Sequence, residues 1–297
     1  MTDSVEEQQS SPPIPHLKFV PNGAKSFLCH KKQIFFVKKM SKFASKVVVI
    51  TGAASGIGAA TAKELSKQGA LLSLIDLNQE KLDQVADECE KLGAKDVLQV
   101  FGDVSKQEDM ERIIKETADK FGEIHVLVNS AGVGPAVLIS TFTLDQFDRC
   151  FNVNVRAALY LTQLALPYLE RSKGNVVNIS SIGSTTYTLP HGSIYCASKA
   201  ACDHITKFSA IELAKSGIRV NAVNPSHVET NILVNAGFTE KESVEMFADE
   251  SRKHPLNERN IKVEEVVDAI LFLASDKATM ITGSCLKVDG GRELVGQ

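Results

Sequence analysis

From Lys46 onward, short apolar runs alternate with longer stretches in which apolar residues return every three or four positions. The runs VVVIT (47–51), LLSLID (71–76), VLQVF (97–101), IHVLVNS (124–130), NVVNIS (175–180), IRVNAV (218–223) and CLKV (285–288) read as strands. Uninterrupted apolar runs imply a sheet buried on both faces, hence a parallel one. The intervening segments read as amphipathic helices. Over 79–92, Leu82, Val85, Ala86 and Cys89 share one face, with Gly93 as the stop. Over 105–122, Ser105 and Glu108 predict a capping box, Met110, Ile113, Ile114 and Phe121 the buried stripe, and Gly122 the end. Two longer helices, at about 143–171 and 195–216, are expected to stop at Gly174 and Gly217. This alternation predicts one doubly wound α/β domain, with about seven parallel strands flanked by helices on both faces. No repeat or linker interrupts it, so residues 41–297 form a single domain.

Residues 1–40 differ. MTDSVEEQQSSPPIPH is polar and proline-containing, which suits a flexible extension. The basic stretch FLCHKKQIFFVKKM that follows raises a mitochondrial presequence as an alternative to a cytoplasmic location. Asp3, Glu6 and Glu7, and the absence of arginine from the segment, argue against it. No run of 18 apolar residues predicts a membrane span. A net charge of −3 and a pI of about 6.2 give no support to nucleic-acid binding. The six cysteines show no CxxC spacing and read as reduced thiols. With the histidines scattered, no metal site is expected.

The stretch TGAASGIG (51–58) follows the first predicted strand and opens a helix. Gly52, Gly56 and Gly58 leave room for a pyrophosphate to approach the backbone, and the helix start offers N–H groups and a favourable dipole. Asp76 closes the second strand, where a carboxylate binds the ribose hydroxyls of a dinucleotide and repels a 2′-phosphate. No lysine or arginine lies at 53–58 or 77–79 to offset it, so NAD is favoured over NADP. The alternative role for Asp76 is to cap the next helix. Tyr195 and Lys199, four residues apart, share one helix face. A free phenol titrates at about 10 and is a poor base near neutrality. A neighbouring ammonium and an oxidised nicotinamide both favour its anion.

With NSAG (129–132), NISS (178–181), YCASK (195–199), NPSHVET (224–230) and ITGSCLKVDGG (281–291), the cradle stands in an order that resembles the short-chain dehydrogenase/reductase superfamily over about residues 41–297. The resemblance implies Tyr195 as general acid/base, Lys199 as its partner and ribose ligand, and Ser181 as the residue that orients the substrate oxygen. It implies Asn154 as the support of a proton route to the lysine. Asn154 is preferred to Asn152 because VRAALYLTQ follows it. Ser181 stands 14 residues before Tyr195, one more than usual, with Ser184 as the fallback. Implied cofactor contacts are Gly52, Ser55, Gly56, Ile57, Gly58 and Asp76, then Asp103 and Val104 at the adenine, Asn129, Ala131 and Gly132 at a strand end, and Val228 and Thr230 at the carboxamide. Two departures stand out: Ser130 replaces an asparagine, and Ser226 a glycine.

These residues imply an NAD(P)-dependent oxidoreductase, with NAD preferred, that interconverts a secondary alcohol and a ketone. One alternative is an NADPH-dependent carbonyl or 3-oxoacyl-thioester reductase; another is a non-catalytic cofactor sensor. The partner is a small-molecule alcohol or ketone. The segment from Asn231 to about Lys262 has the composition of a substrate lid, including Leu233, Phe238, Met246 and Phe247. Tyr187 and His191 are open candidates for substrate contact. By resemblance, the two long helices are the surfaces of a homodimer or homotetramer.

Overall fold

The computed structural model describes residues 42–187, 191–230 and 232–295. The extension expected over 1–40 lies outside them, as does Asn231 at the start of the expected lid. Seven strands form one sheet: β1 (Val47–Thr51), β2 (Leu71–Asp76), β3 (Asp96–Phe101), β4 (Val126–Asn129), β5 (Asn175–Ile179), β6 (Arg219–Pro225) and β7 (Cys285–Val288). Every pairing is parallel, in the order β3-β2-β1-β4-β5-β6-β7. The predicted strands are these seven, to within a few residues. The order reverses between β1 and β4, and a crevice opens there at the carboxyl ends of the strands.

Nine α-helices fill the connections among the described residues: α1 (Gly56–Ser66), α2 (Gln79–Leu92), α3 (Gln107–Phe121), α4 (Leu144–Phe151), α5 (Ala157–Ser172), α6 (Ser193–Leu213), α7 (Ile232–Asn235), α8 (Glu240–Ser251) and α9 (Val263–Ala274). The two faces of the sheet carry separate cores. One packs Val48, Ile50, Leu72 and Leu74 with α1, α2 and α9. The other packs Val49, Leu127 and Val176 with α3 and α5. Successive residues of β1 thus serve opposite cores, which is why the strand is apolar throughout. No described helix is long and apolar enough to cross a membrane.

Several local expectations change in the tertiary setting. No capping box forms at Ser105. The Asp103 carboxylate accepts the Ser105 N–H, the Ser105 hydroxyl accepts from Arg149, and α3 starts after Lys106. Thr117 takes the stripe position expected of Phe121, bonding Ser73 at 2.6 Å across to β2. Gly93, Gly122 and Gly217 end their helices with positive φ as expected. Gly174 does not; the left-handed residue there is Lys173, at φ 48°. Gly174 is small because a side chain would meet His125 O at 2.5 Å. The helix expected over 143–171 is interrupted by a π segment, Asn152–Arg156.

Candidate active site

The crevice at the switch point is a cleft of about 410 Å³. At its floor, the turn after β1 runs against the loop after β4. Thr51 Oγ1 accepts from the N–H groups of Ser130 and Ala131, both at 3.1 Å, tying the two strand ends together. Gly52, at φ 68°, lies so close to that loop that a Cβ would come within 2.9 Å of Ala131 Cα. Gly58 packs α1 onto the turn, where a Cβ would fall 2.1 Å from Gly52 O. Ser55 precedes α1 without capping it through its side chain. The first N–H groups of the helix are therefore left without a side-chain cap beside the cleft, where Ser55, Gly56 and Ile57 form the wall. Thr230 approaches from the opposite side, its Cγ2 3.4 Å from the position of a Gly56 Cβ. A backbone cradle with unpaired donors at a helix start fits a dinucleotide pyrophosphate.

Asp76 lies beside this turn. Its Oδ2 accepts the Ala54 N–H and its Oδ1 the Asn78 N–H, both at 3.0 Å. It is not the helix cap; Asn78 is, accepting from Lys81 N. Asp103 and Val104 line the far end with Leu77 and Arg149. The Asp103 carboxylate is already bonded to Ser105 N and to Arg149 Nη1, both at 2.9 Å. Burial alone would raise its pKa, but those donors outweigh burial and hold it below the usual range. Nothing in the sequence pattern singled out Arg149, because its partner lies 46 residues away.

The strand ends and α6 supply the chemical groups. Ser181 follows β5, and Tyr195 and Lys199 lie on the first turns of α6; all three line the cleft. Ser181 Oγ accepts from Gly183 N at 3.0 Å. Ser184, the fallback, is turned away and bonded to Asn224. The Tyr195 ring packs on Gly134, where a Cβ would come within 3.1 Å. The Lys199 ammonium is 5.6 Å from the Tyr195 ring centroid and donates to Ile179 O at 2.7 Å. Lys199 is only 4% exposed and forms no ion pair among the described residues. A buried, unpaired ammonium is costly unless its charge is used.

Three expected site residues stand behind the cleft wall: Gly58, Asn129 and Asn154. Asn154, in the π segment, grips the loop after β4 like a strand partner. Its Oδ1 accepts Val133 N at 2.9 Å and its Nδ2 donates to Val133 O at 2.8 Å. Nδ2 also reaches Ser198 Oγ at 2.9 Å. Asn129 donates to Asn178, and Asn178 to Thr206 on α6, so this amide chain joins β4, β5 and α6. Ala131, Gly132 and Val228 line the cleft. Tyr187 and His191 do not. Leu233, Phe238, Met246 and Phe247 do, from α7, α8 and their connection. His227 and Ile182 line it as well.

A family model described as enoyl-(acyl carrier protein) reductase matches residues 52–293. The chain is 36% identical over 256 residues to a 7alpha-hydroxysteroid dehydrogenase of Bacteroides fragilis, covering 85% of this chain and 96% of that one. Among solved structures, a short-chain dehydrogenase/reductase of unknown function from Caenorhabditis elegans, determined with cofactor, superposes with a TM-score of 0.81 at 33% identity. That match covers 86% of this chain and 97% of the other. A 3-ketoacyl-(acyl-carrier-protein) reductase from Brucella melitensis complexed with NADH gives 0.75 at 33% identity, covering 84% and 99%.

Proposed function

The chain belongs to the short-chain dehydrogenase/reductase family of oxidoreductases, and from that membership we propose that it interconverts a secondary alcohol and a ketone with NAD as cofactor. The observation that carries the chemistry is the buried, unpaired Lys199 ammonium beside Tyr195 in a cleft that also presents Ser181. A bound nicotinamide cofactor would supply the hydride acceptor for oxidation of the alcohol and the hydride donor for reduction of the ketone.

The remaining work falls to this chain's own groups. The phenolic oxygen of Tyr195 takes the alcohol proton in oxidation and gives it back in reduction. Lys199 places a positive charge where the phenolate forms, in surroundings dry enough for that charge to act at several ångströms. Ser181 donates to the substrate oxygen and fixes its distance from Tyr195. Asn154 is a positioning residue that holds the Gly132–Val133–Gly134 loop on which Tyr195 rests. Gly52, Ser55, Gly56 and Ile57 would cradle the pyrophosphate. Asp76 would take the ribose hydroxyls at the cost of its own loop bonds, and its charge opposes a 2′-phosphate.

The test is NAD reduction by the purified protein over a broad panel of secondary alcohols, beside Tyr195→Phe. The expected result is turnover with NAD that falls by roughly 10²–10⁴-fold in the variant. Full turnover by Tyr195→Phe would remove the tyrosine from the mechanism, and tighter use of NADPH than NADH would overturn the cofactor preference. We further propose a homodimer or homotetramer assembled through α4, α5 and α6. Exposed apolar residues on them, Leu144, Leu159, Phe208 and Ile211, support this. A monomer in sedimentation velocity would refute it.

A further inference from the structure

At the substrate end the cleft is apolar: Ile182, Leu233, Ala236, Phe238, Met246 and Phe247 form its walls. Ser181 and Tyr195 are reserved there for the reacting oxygen. Ser226, His227 and the exposed Asn235 also line the cleft.

His227 is held by an unusually complete set of neighbours. Its own carbonyl accepts Ile261 N at 3.0 Å, and Ser226 N donates to Val288 O at 3.0 Å, so the backbone is pinned between β7 and the segment after α8. Beneath the ring lies Glu250 of α8. The Glu250 carboxylate is bonded by Lys253 Nζ at 2.7 Å and by Arg292 Nε at 3.0 Å. Arg292 is 2% exposed and His254 is fully buried.

The hydrogen bonds of this cluster assign the tautomer of His227. His254 Nδ1 lies 2.9 Å from Glu250 O, and a carbonyl only accepts, so that nitrogen carries its proton. With the proton on Nδ1, His254 Nε2 is the acceptor for the Ser226 hydroxyl at 2.9 Å. Ser226 Oγ is thereby left as an acceptor toward His227 Nδ1, 3.5 Å away. The Glu250 carboxylate, which also only accepts, faces the same nitrogen at 3.5 Å. Both neighbours of Nδ1 require an N–H there. Nε2 is therefore a bare lone pair, without a protein partner among the described residues, on a ring that lines the cleft.

We propose that His227 Nε2 is a hydrogen-bond acceptor for a second hydroxyl or N–H of the substrate, so that the cleft selects alcohols and ketones carrying an additional donor group. The inference deepens the oxidoreductase reading and rests on it for the place of the reacting oxygen. It also gives Ser226 a role: a glycine there would leave His254 Nε2 and His227 Nδ1 without their shared partner. Burial, partly offset by Glu250, brings the His227 pKa down to about 4, which keeps the ring neutral at ordinary pH.

The test measures recognition apart from turnover. Cyclohexanol, the 1,2-, 1,3- and 1,4-cyclohexanediols, and the monomethyl ether of each diol are titrated into the protein with NADH by ligand-observed NMR. NADH prevents oxidation of the alcohols. The expected result is that at least one diol binds tenfold or more tightly than cyclohexanol, while its methyl ether, which cannot donate, loses the advantage. In His227→Phe the diol-to-cyclohexanol ratio collapses toward one, and in His227→Gln, which keeps an acceptor, part of it returns. Diols within twofold of cyclohexanol, a methyl ether as good as its diol, or a ratio that survives in His227→Phe would each overturn the proposal. The methyl ether comparison is made on the unaltered protein and holds even if a variant fails to fold. A diol preference of this form in a protein that reduces no NAD with any of these alcohols would leave the recognition standing and remove the oxidoreductase reading instead.

Discussion

Replacing Gly58 with alanine tests whether the glycine-rich turn is shaped by packing of backbone on backbone. The added Cβ would lie 2.1 Å from Gly52 O, 2.8 Å from Gly52 C and 3.2 Å from Ala53 Cα. The first distance falls about 1 Å or more short of ordinary contact. None of the three atoms is a side chain that can swing aside, so α1 and the turn must separate. Overpacking of this kind costs up to about 3 kcal/mol. Alanine within a helix returns about 1 kcal/mol in propensity. The net loss of about 2 kcal/mol is roughly 30-fold in an equilibrium constant. If the turn yields, NADH fluorescence titration should show Kd raised about 30-fold with little change in Tm. If the turn resists, the loss should appear as a fall in Tm of about 4–8 °C for a domain of this size. Gly122→Ala is the comparison, since nothing lies within 4 Å of its added Cβ. It should lower Tm through its left-handed φ of 77° and leave NADH binding alone. A Gly58→Ala protein with Kd within twofold and an unchanged Tm would refute the reasoning.

Asp76→Asn removes a charge while keeping an oxygen for Ala54 N, so the preference for NAD over NADP, read as a ratio of kcat/KM values, should fall tenfold or more, and less so at high salt. Asn154→Ala takes both bonds from Val133; kcat should drop and Tm should fall by several degrees, whereas Asn154→Asp, which keeps one acceptor, should recover part of Tm. The buried His227 titrates at about 4 in the folded chain and near 6.5 when unfolded. Between those values the unfolded chain binds more protons, so stability present above pH 6.5 should be lost toward pH 4, by about 3 kcal/mol. Thermal melts should show a shallower decline over that window in His227→Leu, and an equal slope would contradict the burial argument.

What was legible in the sequence was local or periodic. The seven strands are continuous apolar runs because each is covered on both faces, and that demand is written residue by residue. The glycines at 52, 56 and 58 and the four-residue spacing of Tyr195 and Lys199 are likewise short-range, so the cleft could be anticipated around them. Most of the failures were cases in which a group elsewhere in the fold took a role that local pattern had given to a neighbour. Ser105 was drawn from capping by Asp103 and Arg149, and Thr117 replaced Phe121 because Ser73 on β2 met its hydroxyl. Gly174 was fixed by a carbonyl of the β4 approach instead of by its own helix end. The arrangement around His227 draws on residues 226, 250, 254 and 292, which no spacing rule connects. Periodicity records which face of an element is buried. Which polar groups meet inside is decided only when the chain closes on itself, because a buried donor or acceptor must find a partner wherever the fold places one.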